Sequence, residues 1–249
     1  IYSKPESEGS GDYSTYVLTN EHVVDDSVKH ESRWNNVLKR DVKTEVLGTI
    51  NVDFFQWKWE SRATGITLVE SDIVAYDKIE DLALLRLRTT NKICDPVKLY
   101  PPNQESKLRV GTGVFAVGAA LGGAPIITRG CLSQFGQEIE HREFWLQTAS
   151  IIFGNSGGAL FLSDTEEMIG VPALVAMTGF GDAVTHVGFV IPITRIYKFL
   201  DEQVFQFIYD PSHTEKGDEE ARHSQRKEEE RKVLAQEARG ERESTDRPR

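Results

Sequence analysis

Ser156 lies in a segment whose composition suits a reactive hydroxyl, Gly154-Asn155-Ser156-Gly157-Gly158. The flanking glycines allow backbone conformations that are closed to other residues, and they let other atoms approach closely. Such a turn can expose a serine hydroxyl and aim successive N–H groups at one point. The alternative is a glycine-rich turn that only leads into the apolar segment Ala159–Leu162. The serine is a candidate nucleophile if the chain supplies a base and an orienting acid.

His22 and Asp81 are the best candidates for that base and that acid. Near neutral pH, histidine is the side chain best suited to take the serine proton, and its imidazole needs a carboxylate to fix the tautomer. His22 follows a β-branched and aromatic segment, whereas the other histidines lie in the charged C-terminal segment or in surface or strand positions. Asp81 immediately precedes an apolar segment. Asp72 and Asp77 remain alternatives, because each also fits a turn.

Short apolar or alternating segments recur through the first 192 residues and predict an all-β sandwich or barrel. The predicted strands cover residues 13–19, 45–52, 65–70, 73–76, 82–87, 114–118, 126–132, 144–148, 159–162, 171–177 and 187–191.

Three further boundaries follow from composition. The proline-containing segment 95–103 divides the β region into residues 1–100 and 101–192. A helical apolar period begins after Pro192 and predicts a packing helix over residues 193–210. Residues 211–249 are mostly charged and polar, so they cannot bury enough apolar area to offset the entropy of ordering. We expect this charged tail to be solvated, helical or disordered, or to link to a further segment; contact with a partner is the alternative.

Several functions are disfavoured by composition. A net charge of −10 argues against nucleic-acid binding. No apolar run reaches the 18 residues of a membrane span, and no signal-peptide pattern opens the chain. The chain begins at Ile1, so we expect it to be processed or excised, which leaves its location open. Cys94 and Cys131 are too few for a disulfide framework or a zinc site, and whether they pair stays open. We predict no metal and no cofactor.

Three segments together resemble the signature segments of trypsin-like serine proteases, and they are most similar to the HtrA-type branch. They are residues 19–24 (Thr-Asn-Glu-His-Val-Val), residues 77–85, and Gly154–Gly158. The order His, Asp, Ser matches the chymotrypsin fold. The resemblance implies two six-stranded antiparallel β-barrels, the first with His22 and Asp81 and the second with Ser156. It also implies polypeptide substrates.

The resemblance assigns Ser156 as nucleophile, His22 as general base and acid, and Asp81 as the orienting acid. It places the oxyanion hole at Gly154 and Ser156, with Asn155 between them in the same turn. The predicted function is therefore a serine endopeptidase that acts through an acyl-enzyme. The alternative is a catalytically silent or chaperone-like protein-binding module on the same fold.

The resemblance also predicts substrate-binding residues. The primary pocket and the strand that pairs with the substrate backbone would be formed by Ser150, Ile151, Ile152, Phe153, Val187, Gly188 and Phe189. Because these residues carry no charge, we expect cleavage after small or medium apolar residues. Two features depart from the pattern of the family. Residues 34–60 read as an insertion that holds three of the four tryptophans, and no PDZ-like segment follows the predicted helix.

Overall fold

A computed structural model describes residues 1–6, 11–35, 40–59, 61–177 and 183–245. Thirteen strands and two α-helices are assigned there, joined by turns and short 3-10 segments. In chain order the strands, β1 to β13, are Tyr2–Pro5, Tyr13–Thr19, Val28–Asn35, Arg40–Leu47, Thr49–Lys58, Arg62–Asp77, Leu82–Leu87, Gly113–Gly118, Ile126–Ile139, Arg142–Gln147, Ala159–Leu162, Met168–Met177 and Ala183–Pro192. The helices are α1, Ile193–Glu202, and α2, Glu215–Thr245.

The second β half is a closed six-stranded barrel, in agreement with the prediction. Its strands are antiparallel and follow the order β10-β13-β12-β11-β8-β9. Val114, Leu132, Leu160 and Ile191 are each fully buried inside it. Along β8 burial falls on every second residue, which is the period-2 pattern of a strand with one buried face, whereas most of β11 is buried.

The first β half differs from the prediction of a second six-stranded barrel. Its main sheet has five strands in the order β1-β2-β7-β6-β5, and no pairing between the edge strands β1 and β5 closes it within the described residues. The physical reason lies in β3 and β4, which pair with each other over their whole length and form a separate two-stranded sheet. A barrel removes its edges only when every strand pairs on both sides, and this hairpin supplies no strand to the main sheet.

Two predicted strand boundaries in this half are also wrong. Predicted strand 45–52 covers the end of β4 and the start of β5, which are separated at Gly48. The predicted strands 65–70 and 73–76 are parts of one long strand, β6. Ser71 lies between these two predicted strands. Its side chain is fully buried, and its hydroxyl donates to the carbonyl oxygen of Ile50 on the neighbouring strand at 2.8 Å.

The predicted helix over residues 193–210 ends earlier, at Glu202. Val204 adopts a left-handed conformation, with φ 58°. The N–H of Phe205 donates to Leu200 O at 2.7 Å, and the N–H of Val204 donates to Asp201 O at 3.1 Å. These two bonds form the Schellman motif that commonly ends helices. The motif usually places glycine where Val204 stands, so the sequence carries no stop signal there.

The chain divides into two compact units, Ile1–Phe199 and Leu200–Arg249. In the second unit α2 accounts for most of the charged tail, and Lys232 lies 2.8 Å from Glu228 one helical turn away. Thr214 begins the helix, since its hydroxyl accepts the N–H of Gly217 at 3.1 Å. No helix within the described residues is long and apolar enough to cross a membrane. Cys94 and Cys131 are both unpaired and half-buried.

Candidate active site

His22 and Asp81 meet because their strands are neighbours. Strand β2 pairs antiparallel with β7, with Thr19 opposite Ala83, so the residues that follow β2 lie beside those that precede β7. The Nδ1 atom of His22 lies 2.9 Å from Oδ1 and 3.0 Å from Oδ2 of Asp81. The backbone N–H of His22 also donates to Asp81 Oδ1, at 3.1 Å. The carboxylate therefore holds both the ring and the backbone of the histidine.

Asp81 sits at the end of a tight turn between β6 and β7. Oδ1 of Asp77 accepts the N–H groups of Ile79 and Glu80 at 2.7 and 2.9 Å, which closes the turn. Asp81 itself adopts a left-handed conformation with φ 53°, which is uncommon for a residue other than glycine. Of the two alternatives, Asp77 thus shapes the turn, and Asp72 is bound by Arg88 at 2.6 Å. Asp81 is the carboxylate that contacts His22.

The pKa of His22 is raised above its ordinary value. The hydrogen bond to the Asp81 carboxylate is the main cause, and the negative charges of Asp81, Asp25 and Glu21 add to it. Burial acts in the opposite direction, but less strongly than that hydrogen bond. The His22 side chain is 45% exposed to solvent. Its other ring nitrogen, Nε2, does not contact Asp81.

Asn20 connects this pair to the segment of Ser156. Its side chain is completely buried. Nδ2 of Asn20 donates to the carbonyl oxygen of Asp81 at 2.8 Å, while its Oδ1 accepts the N–H of Gly157 at 2.5 Å. A Cβ atom on Gly157 would lie 2.1 Å from Oγ1 of Thr19, so the loop of Ser156 packs directly on the end of β2. One amide side chain thus contacts the residue after the serine and the residue that orients the histidine.

Residues 152–155 form a type II turn just before Ser156. The N–H of Asn155 donates to Ile152 O at 3.0 Å, and Gly154, the third residue of the turn, has φ 94°. A turn with a positive φ at its third residue but not at its second is type II. The carbonyl oxygen of Phe153 accepts the N–H of Leu121 at 2.8 Å. Because the C=O and N–H of one peptide point in opposite directions, this bond directs the Gly154 N–H away from Leu121.

The donors around Ser156 divide into used and unused groups. Asn155 spends its N–H on the turn, and its side chain is 2% exposed. Within the described residues, the N–H groups of Gly154 and Ser156 donate no hydrogen bond. In the same part of the chain, no hydrogen bond joins Ser156 Oγ to the His22 ring; such bonds are often long until substrate binds. Asn155, which the sequence places between the two proposed oxyanion donors, thus has its N–H already occupied by Ile152 O.

The four predicted pocket residues before Gly154 face different surroundings. Ser150 and Phe153 are exposed, Ile152 is half-buried and Ile151 is 2% exposed. Thr128 fixes the Ser150 carbonyl through a 2.9 Å hydrogen bond from its hydroxyl. None of these four side chains carries a charge.

Gly188 lies directly against this segment. A Cβ atom there would be 2.6 Å from Cγ1 of Ile151 and 2.5 Å from Nε2 of Gln147. Ile151 also donates its N–H to Thr185 O, at 2.8 Å. The absence of a side chain on Gly188 therefore makes the space that Ile151 and Gln147 occupy.

The prediction that residues 187–190 pair with the substrate backbone is contradicted at residues 188–190, which are already paired on both sides; these pairs do not include Val187. Strand β13 is interior to the barrel: Gly188 is opposite Gln147 of β10 on one side and Val175 of β12 on the other, and Phe189 is opposite Leu146 and Leu174. A strand paired on both sides has no free N–H or C=O row for another strand. Val187 and Phe189 are half-buried.

Strand β12 offers the edge that β13 lacks. Its first residues pair with β11, but beyond Gly170 it pairs, among the described residues, with β13 alone. The carbonyl oxygen of Pro172 on this open side accepts the N–H of Gly157 at 3.3 Å, which places the edge beside the loop of Ser156. The apolar segment 171–177 predicted this strand but not which of its sides would stay open.

Comparison with known proteins gives the family of the chain. The sequence profile of the trypsin-like peptidase domain matches residues 7–171. The chain belongs to the trypsin-like peptidase family. The periplasmic pH-dependent serine endoprotease DegQ of Escherichia coli is 29% identical over 77% of this chain and 35% of DegQ. The serine endoprotease DegS of E. coli is 31% identical over 54% of this chain and 38% of DegS. The chain spans between a quarter and half of the length of the curated relatives it matches.

Solved structures show the same fold. The HtrA-type protease AlgW with a tripeptide superposes with a TM-score of 0.52 at 23% identity, covering 80% of this chain and 54% of AlgW. A serine endoprotease from Yersinia pestis gives 0.50 at 23% identity, covering 77% of this chain and 57% of that protein. The prediction of an HtrA-type relative is confirmed.

Proposed function

We propose that this chain is an active serine endopeptidase in which residues 1–100 supply His22 and Asp81 and residues 101–192 supply Ser156. The observation that carries the proposal is the 2.9 Å contact between His22 and Asp81, held beside the loop of Ser156 by the buried side chain of Asn20. An exposed imidazole with a fixed Nδ1 leaves Nε2 available as a base. That arrangement serves nucleophilic catalysis by a neighbouring hydroxyl.

In the proposed reaction, Oγ of Ser156 attacks the carbonyl carbon of the scissile peptide while His22 takes its proton. The C–N bond then breaks as the imidazolium returns this proton to the leaving amine, which leaves an ester on Ser156. Water attacks the ester with His22 as base again, and the acid product leaves with Ser156 restored. Asp81 stays ionised throughout, holding the tautomer and stabilising the imidazolium.

The N–H groups of Gly154 and Ser156 are proposed to form the oxyanion hole. Two observations support this assignment: both donors are unused within the described residues, and the type II turn fixes the peptide that carries the Gly154 N–H. The loss of one such donor typically lowers turnover by about 100- to 1000-fold. Asn155 contributes the turn and not a donor, since its own N–H binds Ile152 O.

For specificity, we propose cleavage after small or medium apolar residues. The support is the uncharged segment Ser150–Ile151–Ile152–Phe153 and the close packing of Ile151 on Gly188. The preference is expected to be broad, because one methylene in an apolar pocket is worth only about 1–3 kcal/mol. The open edge of β12 is the proposed site of backbone pairing with the substrate, by addition of a strand.

A fluorophosphonate probe tests the activity directly, since it reacts with an activated serine. The protein is expected to be labelled, and Ser156→Ala is expected to remain unlabelled with its fold intact. If the folded protein takes up no label and cleaves no denatured protein substrate, the proposal fails, and a catalytically silent binding module becomes the better description. Mapping the cut sites in a denatured substrate tests specificity; predominant cleavage after Lys or Arg would contradict the uncharged pocket.

A further inference from the structure

Glu80, the residue before Asp81, is a buried carboxylate with two cationic partners. It is 6% exposed, although it lies in a turn between two strands. Its Oε2 accepts from Nε of Arg195 at 2.6 Å, and its Oε1 accepts from Nζ of Lys198 at 2.9 Å. Both cations lie on α1. Isolated buried charge is very costly, and the two cations hold the pKa of Glu80 below its usual value despite burial.

Arg195 does more than neutralise this carboxylate. Its Nη2 donates to the backbone oxygen of Glu80 at 3.0 Å, and its Nη1 donates to the backbone oxygen of Glu143 at 3.0 Å. The guanidinium lies 4.9 Å from the centre of the Phe144 ring. Three nitrogens of a planar, rigid group are thus fixed in three directions, so the guanidinium can hold its partners in place with little freedom of its own.

The bond to the Glu80 backbone bears directly on Asp81. That carbonyl oxygen belongs to the peptide unit whose nitrogen is the nitrogen of Asp81. Holding this plane fixes one side of the N–Cα bond about which Asp81 adopts φ 53°. A left-handed conformation of a non-glycine residue costs on the order of 1–2 kcal/mol and persists only where the surroundings enforce it.

We infer that Arg195 is a positioning residue of the active site, which acts through Glu80 to hold Asp81 in the conformation that binds His22. The inference rests on the proposed function for its catalytic consequence, but its structural part concerns the His22–Asp81 pair alone. Arg142 supports the same turn through a 2.9 Å bond to the carbonyl of Ile79. Lys198 contacts this turn through the carboxylate of Glu80.

Other charges also face His22 and bear on any titration. Glu21, beside His22 in the chain, has Lys78 at 3.6 Å, and Asp25 lies in the next short turn. Asp25 and Glu21 both raise the pKa of His22, but less than Asp81 does. None of them contacts Arg195 in the described structure, so a change at Arg195 reaches His22 through Asp81.

The test is the NMR titration of the His22 imidazole in a Ser156→Ala background, which needs no activity. Arg195→Gln is expected to lower the His22 pKa toward its ordinary value, because the Asp81 carboxylate moves away from Nδ1. In the protein with Ser156 intact, kcat is expected to fall by about 100-fold, the loss typical of a displacement near 1 Å in an active site, with little change in KM. Arg195→Lys keeps the charge but not the forked donors, and is expected to restore part of both.

Two comparisons keep the inference falsifiable. Arg88→Gln removes an arginine–carboxylate pair of similar length outside the turn, and is expected to leave the His22 titration unchanged. If Arg195→Gln alone does not fold, Arg195→Gln with Glu80→Gln removes both charges, and the same lowered pKa is expected. Folded Arg195 variants with an unchanged His22 titration and unchanged kcat would overturn the inference. A wild-type protein without labelling or turnover would overturn the proposed function and leave the titration test standing.

Discussion

Asn20→Ala is the perturbation that tests most directly how the site is assembled. The substitution removes a donor to Asp81 O at 2.8 Å and an acceptor for the Gly157 N–H at 2.5 Å, both in a completely buried position. A hydrogen bond contributes about 1 kcal/mol net, and each buried partner left unsatisfied costs about 1–3 kcal/mol. Gly157 keeps a longer bond to Pro172 O at 3.3 Å, so Asp81 O bears most of the loss. We expect the free energy of unfolding to fall by about 2–4 kcal/mol.

The effect on activity has a separate cause. Without Asn20, the carbonyl of Asp81 and the N–H after Ser156 no longer share a partner, and the distance between His22 and Ser156 is less well defined. A displacement of this kind near reacting groups lowers the rate by about 100-fold. Urea unfolding measures the loss of stability. The rate of fluorophosphonate labelling, measured without denaturant and well below the unfolding temperature, measures the loss of activity.

The matched control is Asn51→Ala, which removes the same side chain from an exposed position on β5. It is expected to change the free energy of unfolding by no more than about 0.5 kcal/mol and the labelling rate not at all. If Asn20→Ala lowers stability but labels as fast as the wild type, Asn20 only supports the fold. If it changes neither quantity, the reasoning from the two bonds is refuted.

Four further predictions concern the same site. Gly154→Ala should lower the rate of labelling by about 100-fold or more, because the added Cβ would lie 2.5 Å from Ala119 O. Gly111 has a similar positive φ but open space around it, so Gly111→Ala should affect stability alone. Equal labelling of the two variants would contradict this reasoning. The raised pKa of His22 should place the acidic limb of the kcat/KM profile above about pH 6.5, and Asp81→Asn should move it lower and cut kcat by about 10,000-fold. Because the pKa of His22 is higher in the folded than in the unfolded protein, His22 stabilises the fold fully at a pH below its unfolded pKa. This stabilisation is lost as the pH rises through the folded pKa, so the free energy of unfolding in urea should fall over that range. Gly188→Ala should displace Ile151 and shift the mapped cut sites toward smaller residues; an unchanged map would remove Gly188 from the pocket.

The sequence predicted the second barrel better than the first half. Its strands are marked by continuous runs of apolar residues, of which every second one is buried in β8 and most are buried in β11. In the first half, β3 and β4 are mostly exposed on the described positions and pair only with each other. Their period-2 signal is weak, since neither face is consistently apolar. The pairing of strands across a sheet is not encoded in the alternation of any one strand, so the open sheet could not be read from it.

The candidate site shows the same limit at the level of single residues. His22, Asp81 and Ser156 were singled out in the sequence because their types and contexts are unusual, and their catalytic roles are proposals. Asn20 carries no such mark, since a buried asparagine and an exposed one look alike in a sequence. Arg195 and Glu80 are 115 positions apart, and charged residues are assigned to the surface by default. The error over β13 has the same origin, because only the register shows that its two edges are both paired.

The three proposed reacting groups come from distant segments of the chain, and left-handed backbone conformations mark two of these segments. Asp81 and Gly154 both have positive φ, at 53° and 94°. Arg195 and Asn20 bind the carbonyl groups on the two sides of Asp81, and Leu121 binds the carbonyl that precedes Gly154. Asn20 also binds the N–H that follows Ser156. Because Asp81 and Gly154 are each held by partners from distant segments, we expect the site to form only when the surrounding tertiary structure is complete.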